Sequence, residues 1–366
     1  DELKRYIDVD SFAFQNITDL SGVKEAFDII KEALDKNSKI YIYGDYDADG
    51  VMSTSIMYKG LYGLGADVHY FIPNRVEDGY GLNDKAVERL IDEGAELIIT
   101  CDNGITAGAQ IELAKKHGVK TVILDHHEPP FEEKDGVKHD ILPDADAVVD
   151  AKIQNCGYEF TQMCAGGLCY RFICGLYSFL GKKLDNKDEL CELAAVATIC
   201  DVVDLTGENR AIASRGLEII NHGSNNLGLK TLIELKELKS INSYSVGFVI
   251  GPCINASGRL DSAKIAVELF VTGSTKRARE LAVMLNDFNE ERKAITQECL
   301  ERIAENIEKS SIVNDKIIVV YDKDTHESVA GIIAGRLRER YGRPSIVLTK
   351  AERGAKGSGR SVESYD

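Results

Sequence analysis

Residues 41–55 read YIYGDYDADGVMSTS. A short apolar run ends at Gly44, and Asp45, Asp47 and Asp49 follow at alternate positions. On a regular strand, residues two apart share a face, so the three carboxylates could lie side by side. Gly44 and Gly50 suggest instead that the chain bends here. Either geometry crowds negative charge, and repulsion with desolvation raises the three pKa values unless a cation sits among them. Taken alone, a D-x-D of this kind is a solvated acidic turn, so the rest of the chain has to decide.

Working outward, the first 150 residues alternate two patterns. The runs KIYIYG (39–44), DVHYFI (67–72), ELIITC (96–101) and KTVILD (120–125) are short and β-branched or aromatic. Helix-like stretches such as GVMSTSIMYKGLYGLG and DKAVERLIDEG lie between them. The alternation predicts an α/β fold, a parallel sheet with flanking helices. Ligands of such sheets bind at the carboxyl ends of the strands. Those ends carry matching chemistry: ELIITC leads into Asp102, KTVIL into Asp125, His126 and His127, and the apolar helix AAVATIC into Asp201. Carboxylates and imidazoles in these proportions suit Mn²⁺ or Mg²⁺ better than a thiolate zinc site. Two such ions roughly 3.5 to 4 Å apart would activate water for in-line attack on phosphorus.

From about 160 to 240 the pattern turns helical. Residues 274–309 then place Leu281, Met284, Leu285, Phe288, Ile295, Cys299, Ile303 and Ile307 three to four residues apart without Gly or Pro. This predicts one long helix, roughly 50 Å at 1.5 Å per residue. After it, KIIVVY (316–321), VAGIIAGRLRERYG (329–342) and PSIVLT (344–349) open a second, smaller α/β unit.

The 366 residues, 44 % hydrophobic, allow two or three domains. No apolar run approaches the roughly 20 residues of a membrane helix, and the expected address is cytoplasmic. The net charge of −16 argues against a broad basic nucleic-acid surface, though not against a local basic channel. Nine cysteines without a C-x-x-C pair predict buried, reduced thiols. A first residue other than Met, and an end just after a new strand begins, suggest an excerpt of a longer protein.

The ordered set GDYDADG, CDNG, DHH and CDVVD resembles the motifs of the DHH phosphoesterase family. IPNRVEDGYGL (72–82), GENR (207–210), GPCINASGRL (251–260), HESVAGIIAGRL (326–337) and KGSGRS (356–361) resemble its branch of single-strand-specific 5′ to 3′ exodeoxyribonucleases, which release 5′ mononucleotides in DNA repair and recombination. The resemblance runs over nearly the whole chain. It implies a DHH catalytic domain at 1–205, a helical connecting region at 206–310 and the start of a DHH-associated, substrate-binding domain at 311–366, incomplete at its C-terminus.

By the same resemblance, Asp45 and Asp47 hold one ion, Asp49, His126 and Asp201 hold the other, and Asp102 bridges the two. Asp102, His126 and His127 form the catalytic set, with His127 just outside the metals beside the attacked phosphate. Asp125 orients a ligating histidine, and Asp204 is a minor ligand candidate. Asn255 and Arg259 hold the scissile phosphate, Arg75, Ser358 and Arg360 capture the 5′-terminal phosphate, His326 faces the substrate, and Tyr80 could stack on a base. Two departures stand out: Tyr43 occupies a position where many relatives carry His, and Cys253 one where arginine is common. The implied partners are single-stranded DNA, a single-strand-binding protein and a RecQ-type helicase. Two other readings stay open: a phosphodiesterase for short oligonucleotides or cyclic dinucleotides, and a non-catalytic scaffold for replication proteins.

Overall fold

The computed structural model describes residues 12, 14–74, 81–260, 262–351 and 354–363. Two compact units divide the chain, Asp1–Leu285 and Asn286–Asp366.

In the first unit the order is α1 (Val23–Lys36), β1 (Ile40–Tyr43), α2 (Ala48–Gly63), β2 (Val68–Phe71), α3 (Asp84–Asp92), β3 (Leu97–Cys101), α4 (Gly108–Lys116), β4 (Lys120–Leu124), the hairpin β5 (Phe131–Lys134) and β6 (Val137–Asp140), and β7 (Ala147–Val149). Helices α5 (Ala165–Phe179), α6 (Lys187–Cys200), α7 (Gly207–Gly223), α8 (Leu227–Leu235), α9 (Gly251–Leu260) and α10 (Lys264–Val271) follow. A π-helical turn, Val246–Ile250, leads into α9.

The main sheet is parallel in the order β2-β1-β3-β4-β7. Its central strands β1 and β3 are buried at every position, as parallel strands covered on both faces must be. That is why the expected apolar runs and the observed strands agree within two residues. Helix α2 is buried on nearly all sides, through Val51, Met52, Ile56, Met57 and Leu61, because it packs against α5 and α6 as well as the sheet. From β1 the chain steps outward to β2 and then returns to the other side of β1 as β3. The carboxyl ends of β1 and β3 therefore flank the point where strand order reverses, the usual ligand crevice of such sheets. Asp45 and Asp102 lie directly beyond those two ends.

The hairpin and β7 are additions to the expected strand set. Every side chain of β5 is exposed, and the hairpin hangs between β4 and β7, which pair with each other directly.

The long helix α11 (Thr275–Glu308) has 34 residues. The second unit continues with β8 (Ile318–Tyr321), α12 (Glu327–Tyr341), β9 (Ser345–Lys350) and β10 (Ala355–Arg360). Its sheet runs β10-β9-β8, with β8 parallel and β10 antiparallel to β9. Ile303, Ile307, Ile318, Val329, Ile333, Leu337 and Val347 form its core. None of the nine cysteines is disulfide-bonded, and seven are buried. No helix among the described residues is long and apolar enough to cross a membrane.

Candidate metal centre

The three opening aspartates occupy neither a strand nor a plain turn. Helix α2 begins at Ala48, so Asp45 lies in the loop, Asp47 is the N-cap and Asp49 stands in the first turn. Asp47 Oδ1 accepts the N–H groups of Asp49 (2.9 Å) and Gly50 (3.0 Å), leaving its second oxygen available. Asp49 is 2 % exposed, and its two oxygens accept the N–H groups of Ala165 (2.8 Å) and Gly166 (2.7 Å) at the start of α5. Two helix N-termini thus stabilise one carboxylate. These caps offset part of the repulsion. They do not remove it: burial, then Asp201 and Asp47, still hold the Asp49 carboxyl well above the usual range.

Asp102 ends β3 in the left-handed region, at φ 65°, a conformation in which Asp is among the better-tolerated residues. It is 3 % exposed, and burial followed by Asp49, Asp47, Asp45 and Asp125 drives its carboxyl well above the ordinary value. Its Oδ1 lies 3.0 Å from His126 Nε2. His126 also lies 3.6 Å from Asp49 Oδ2 and, through Nδ1, 3.8 Å from Asp201 Oδ2. Burial, with help from His127 and Lys152, pulls the imidazole down to about 4, so it is neutral at physiological pH and fit to donate a lone pair. Asp201, the C-cap of α6, is raised to about 6 by burial and then by Asp47.

Three overlapping donor groups result: Asp45, Asp47 and Asp102; Asp49, His126 and Asp201; and Asp102, His126 and His127, each with ligand atoms within 4.8 Å of one another. Asp102 belongs to the first and third, and His126 to the second and third. Hard carboxylate oxygens with none, one or two imidazoles per group fit divalent cations of the Mn²⁺ or Mg²⁺ kind. The raised carboxyl values mark charge that a cation would neutralise.

His127 is held differently. Its Nδ1 lies 2.7 Å from Asp125 Oδ1, and its pKa is raised first by that hydrogen bond. Nδ1 therefore carries a proton and Nε2 points away from the carboxylate. Asp125 is 1 % exposed. Burial alone would raise its carboxyl, but His127 and the N–H groups of Ile105 (2.9 Å) and His126 (2.8 Å) outweigh it, and the net shift is downward. Its side chain thus orients the His127 ring, while its hydrogen bond to His126 is made to the backbone N–H. Asp204 is exposed and joins none of the three donor groups.

Comparison with known proteins identifies the family. Residues 39–198 fit the DHH family, N-terminal domain. The crystal structure of exonuclease RecJ bound to manganese superposes with a TM-score of 0.81 at 33 % identity, covering 94 % of this chain and 83 % of that one. The chain belongs to the RecJ family. RecJ in complex with Mn²⁺ from Thermus thermophilus gives a TM-score of 0.82 at 31 % identity, over 98 % of this chain and 49 % of that one. The single-stranded-DNA-specific exonuclease RecJ of Bacillus subtilis (strain 168) is 39 % identical over 357 residues, 96 % of this chain and 43 % of that protein. The chain thus spans about half the length of the curated RecJ proteins it matches, from 43 % to 61 %.

Around the RecJ-type centre, α9 packs onto the acidic loop. Asn255 Oδ1 accepts the Ala48 N–H at 2.7 Å, and a Cβ on Gly258 would stand 2.5 Å from the Tyr46 carbonyl oxygen. Only glycine permits this approach. Arg259 follows Asn255 by four residues, on the same helical face. Cys253 is buried. Tyr43 is buried and donates its hydroxyl to the Gly81 carbonyl at 3.1 Å. Arg75 and Tyr80 lie outside the described residues.

In the second unit, Ser358 and Arg360 share one face of β10. They project at Gly331 of α12, where a Cβ would meet Ser358 Oγ at 3.0 Å and Arg360 Nη2 at 3.1 Å. KGSGR is therefore strand, with Arg360 Nη1 donating to Ser358 Oγ at 3.2 Å. His326 is the N-cap of α12, 2.7 Å from Ser328 Oγ.

Two residues beside the donor groups escape sequence reasoning. Asp150, beyond β7, is fully buried and raised to about 8 by burial. Lys152 follows in the same turn, and its ammonium acts on Asp150, His126 and Asp201. No motif flags either residue. The pairing of β4 with β7, Leu124 opposite Val149, brings them to the centre.

Proposed function

We propose that this chain is the catalytic portion of a metal-dependent, single-strand-specific 5′ to 3′ exodeoxyribonuclease that releases 5′ mononucleotides. The observation that carries the reading is the overlap of the three donor groups through Asp102 and His126. Its family supports the same reading. In it, Asp45 and Asp47 hold one Mn²⁺ or Mg²⁺, Asp49, His126 and Asp201 hold a second, and Asp102 serves both. Bound there, the two ions would activate water and stabilise charge on the phosphate oxygens.

The chain's own residues supply the rest. Asp125 binds the Nδ1–H of His127 and raises its pKa, favouring the imidazolium, whose Nε2–H can face the phosphate and donate to its oxygen. Asn255, fixed through the Ala48 N–H, and Arg259 hold the scissile phosphate. Arg75, Ser358 and Arg360 take the 5′-terminal phosphate, His326 contacts the strand, and Tyr80 stacks on a base. A role in DNA repair and recombination follows, in the cytoplasm and with a single-strand-binding protein and a RecQ-type helicase as partners.

The test is digestion of an end-labelled, 5′-phosphorylated single strand with Mn²⁺ or Mg²⁺, scoring polarity and product size. Mononucleotides released from the 5′ end are expected. Hydrolysis of dinucleotides or cyclic dinucleotides alone would replace this reading with a short-substrate phosphodiesterase. Absence of metal-dependent hydrolysis in the full-length protein would leave a non-catalytic scaffold.

A further inference from the structure

We infer that Lys152 is a phosphate-binding residue of this centre, its ammonium donating to a phosphodiester oxygen of the nucleic-acid strand beside the metal ligands. The inference rests on the phosphodiesterase reading above and adds a residue that the reading does not use.

The placement is built into the sheet. Leu124 pairs with Val149, and the Asp125 N–H donates to the Val149 carbonyl at 3.1 Å. Residues 150–152 therefore turn away beside residues 125–128, which carry both histidines. The turn is locked from inside: Asp150, 0 % exposed, accepts the Lys152 N–H on Oδ1 at 2.8 Å. A buried carboxyl spent on one backbone N–H fixes where the next long side chain starts.

Lys152 is poorly satisfied where it lies. Its side chain is only 21 % exposed, and the one carboxylate within 4.0 Å among the described residues is Glu128, at 3.6 Å. Glu128 is itself 81 % exposed, so this contact is a loose, solvent-screened one. Among the described residues the ammonium makes no hydrogen bond. A mostly covered charge without a hydrogen bond is costly, and such a group is poised for an anion.

Two protein-internal roles fit less well. A counter-ion for the acidic cluster would sit within ion-pair distance of Asp45, Asp49, Asp102 or Asp201, and Lys152 pairs with none of them. Yet its field reaches Asp201 and His126, both of which it lowers. A support for the cations is excluded by sign, because a positive charge beside them opposes their binding. What a cation there can attract is the polyanionic strand, and Lys is a common point-charge binder of phosphate.

The test compares Lys152→Met and Lys152→Arg with the parent chain on a 5′-phosphorylated single strand, with three readouts: kcat/KM against salt, Mn²⁺ affinity by electron paramagnetic resonance, and Tm. For Lys152→Met, kcat/KM should fall about 10- to 100-fold, the loss expected for one charged hydrogen bond. The slope of log(kcat/KM) against log salt should shrink by about 0.7, one single-strand phosphate contact. Mn²⁺ affinity should stay equal or tighten, and Lys152→Arg should recover most of the loss. An unchanged salt slope in Lys152→Met, or parallel loss of Mn²⁺ affinity and Tm, overturns the inference while a cutting parent chain leaves the wider reading standing. A parent chain that neither binds nor cuts a single strand overturns both.

Discussion

Substituting Asp201 by Asn should stabilise the protein in chelator and disable it in metal. The Asp201 carboxyl moves from an ordinary 3.8 to about 6, first through burial and then through Asp47. At about 1.4 kcal/mol per pH unit, keeping it ionised costs the folded state about 3 kcal/mol. The sign follows from linkage. A carboxyl with a raised folded-state pKa destabilises the native state once ionised, so metal-free stability falls as pH rises from about 4 to 6 and then stays low. Asn removes this cost and suits a helix C-terminus, where a negative charge opposes the dipole. In EDTA at pH 8 the variant should melt about 6 °C higher, at roughly 2 °C per kcal/mol for a unit of this size. Near pH 4 the difference should vanish. Adding Mn²⁺ should reverse the ranking, because the parent chain gains binding free energy that the variant largely lacks. Differential scanning fluorimetry across pH 4–8, with EDTA or Mn²⁺, reads all of this. If Asp201→Asn lowered Tm in EDTA at pH 8, or if Mn²⁺ raised both proteins equally, the account of Asp201 as a ligand held at electrostatic cost would be wrong.

Three further outcomes follow from the geometry. Asp125→Asn should lower kcat about 10²- to 10⁴-fold while Mn²⁺ binding by titration is kept. Because Asp125 raises His127, the alkaline limb of the pH profile should move to lower pH, and an unmoved limb would remove His127 from the reaction. Gly258→Ala places a Cβ 2.5 Å from the Tyr46 carbonyl oxygen; it should cost about 1 to 3 kcal/mol and weaken Mn²⁺ binding, where an ordinary helical Gly→Ala stabilises. Glu192→Gln disturbs a fully buried carboxylate that accepts from Ser224, from the Asn225 backbone and side chain, and from the Asn226 N–H. Denaturant unfolding should report a loss of about 2 kcal/mol, with nuclease activity intact.

The parallel core was legible because strands covered on both faces must be apolar throughout, as KIYIYG and ELIITC are. FEEK and VKHD were not legible as strands, because they form an exposed two-stranded ribbon that buries nothing and carries no apolar rhythm. β7 is three residues long, too short for a pattern. For the centre, the residue types and the order of Asp45, Asp47, Asp49, Asp102, His126 and Asp201 were readable. Their local roles were not. The spacing of the first three suggested a shared strand face or a bend, whereas Asp47 caps a helix and Asp49 receives two N–H groups from a helix 116 residues away. Asp150 and Lys152 depend wholly on strand pairing, which leaves no local trace.

The direct pairing of β4 with β7 has a consequence for how such a centre can change over time. The segment 128–146 leaves the sheet beside the histidines and comes back beside Asp150, and the ladder closes beneath it. Whatever grows in that interval, here the hairpin β5–β6, extends outward from a seam already zipped shut. Lengthening, trimming or replacing it alters the surface around the donor groups without loosening the residues that form them. The seam makes this segment a natural place to graft a new surface onto a centre that stays constant.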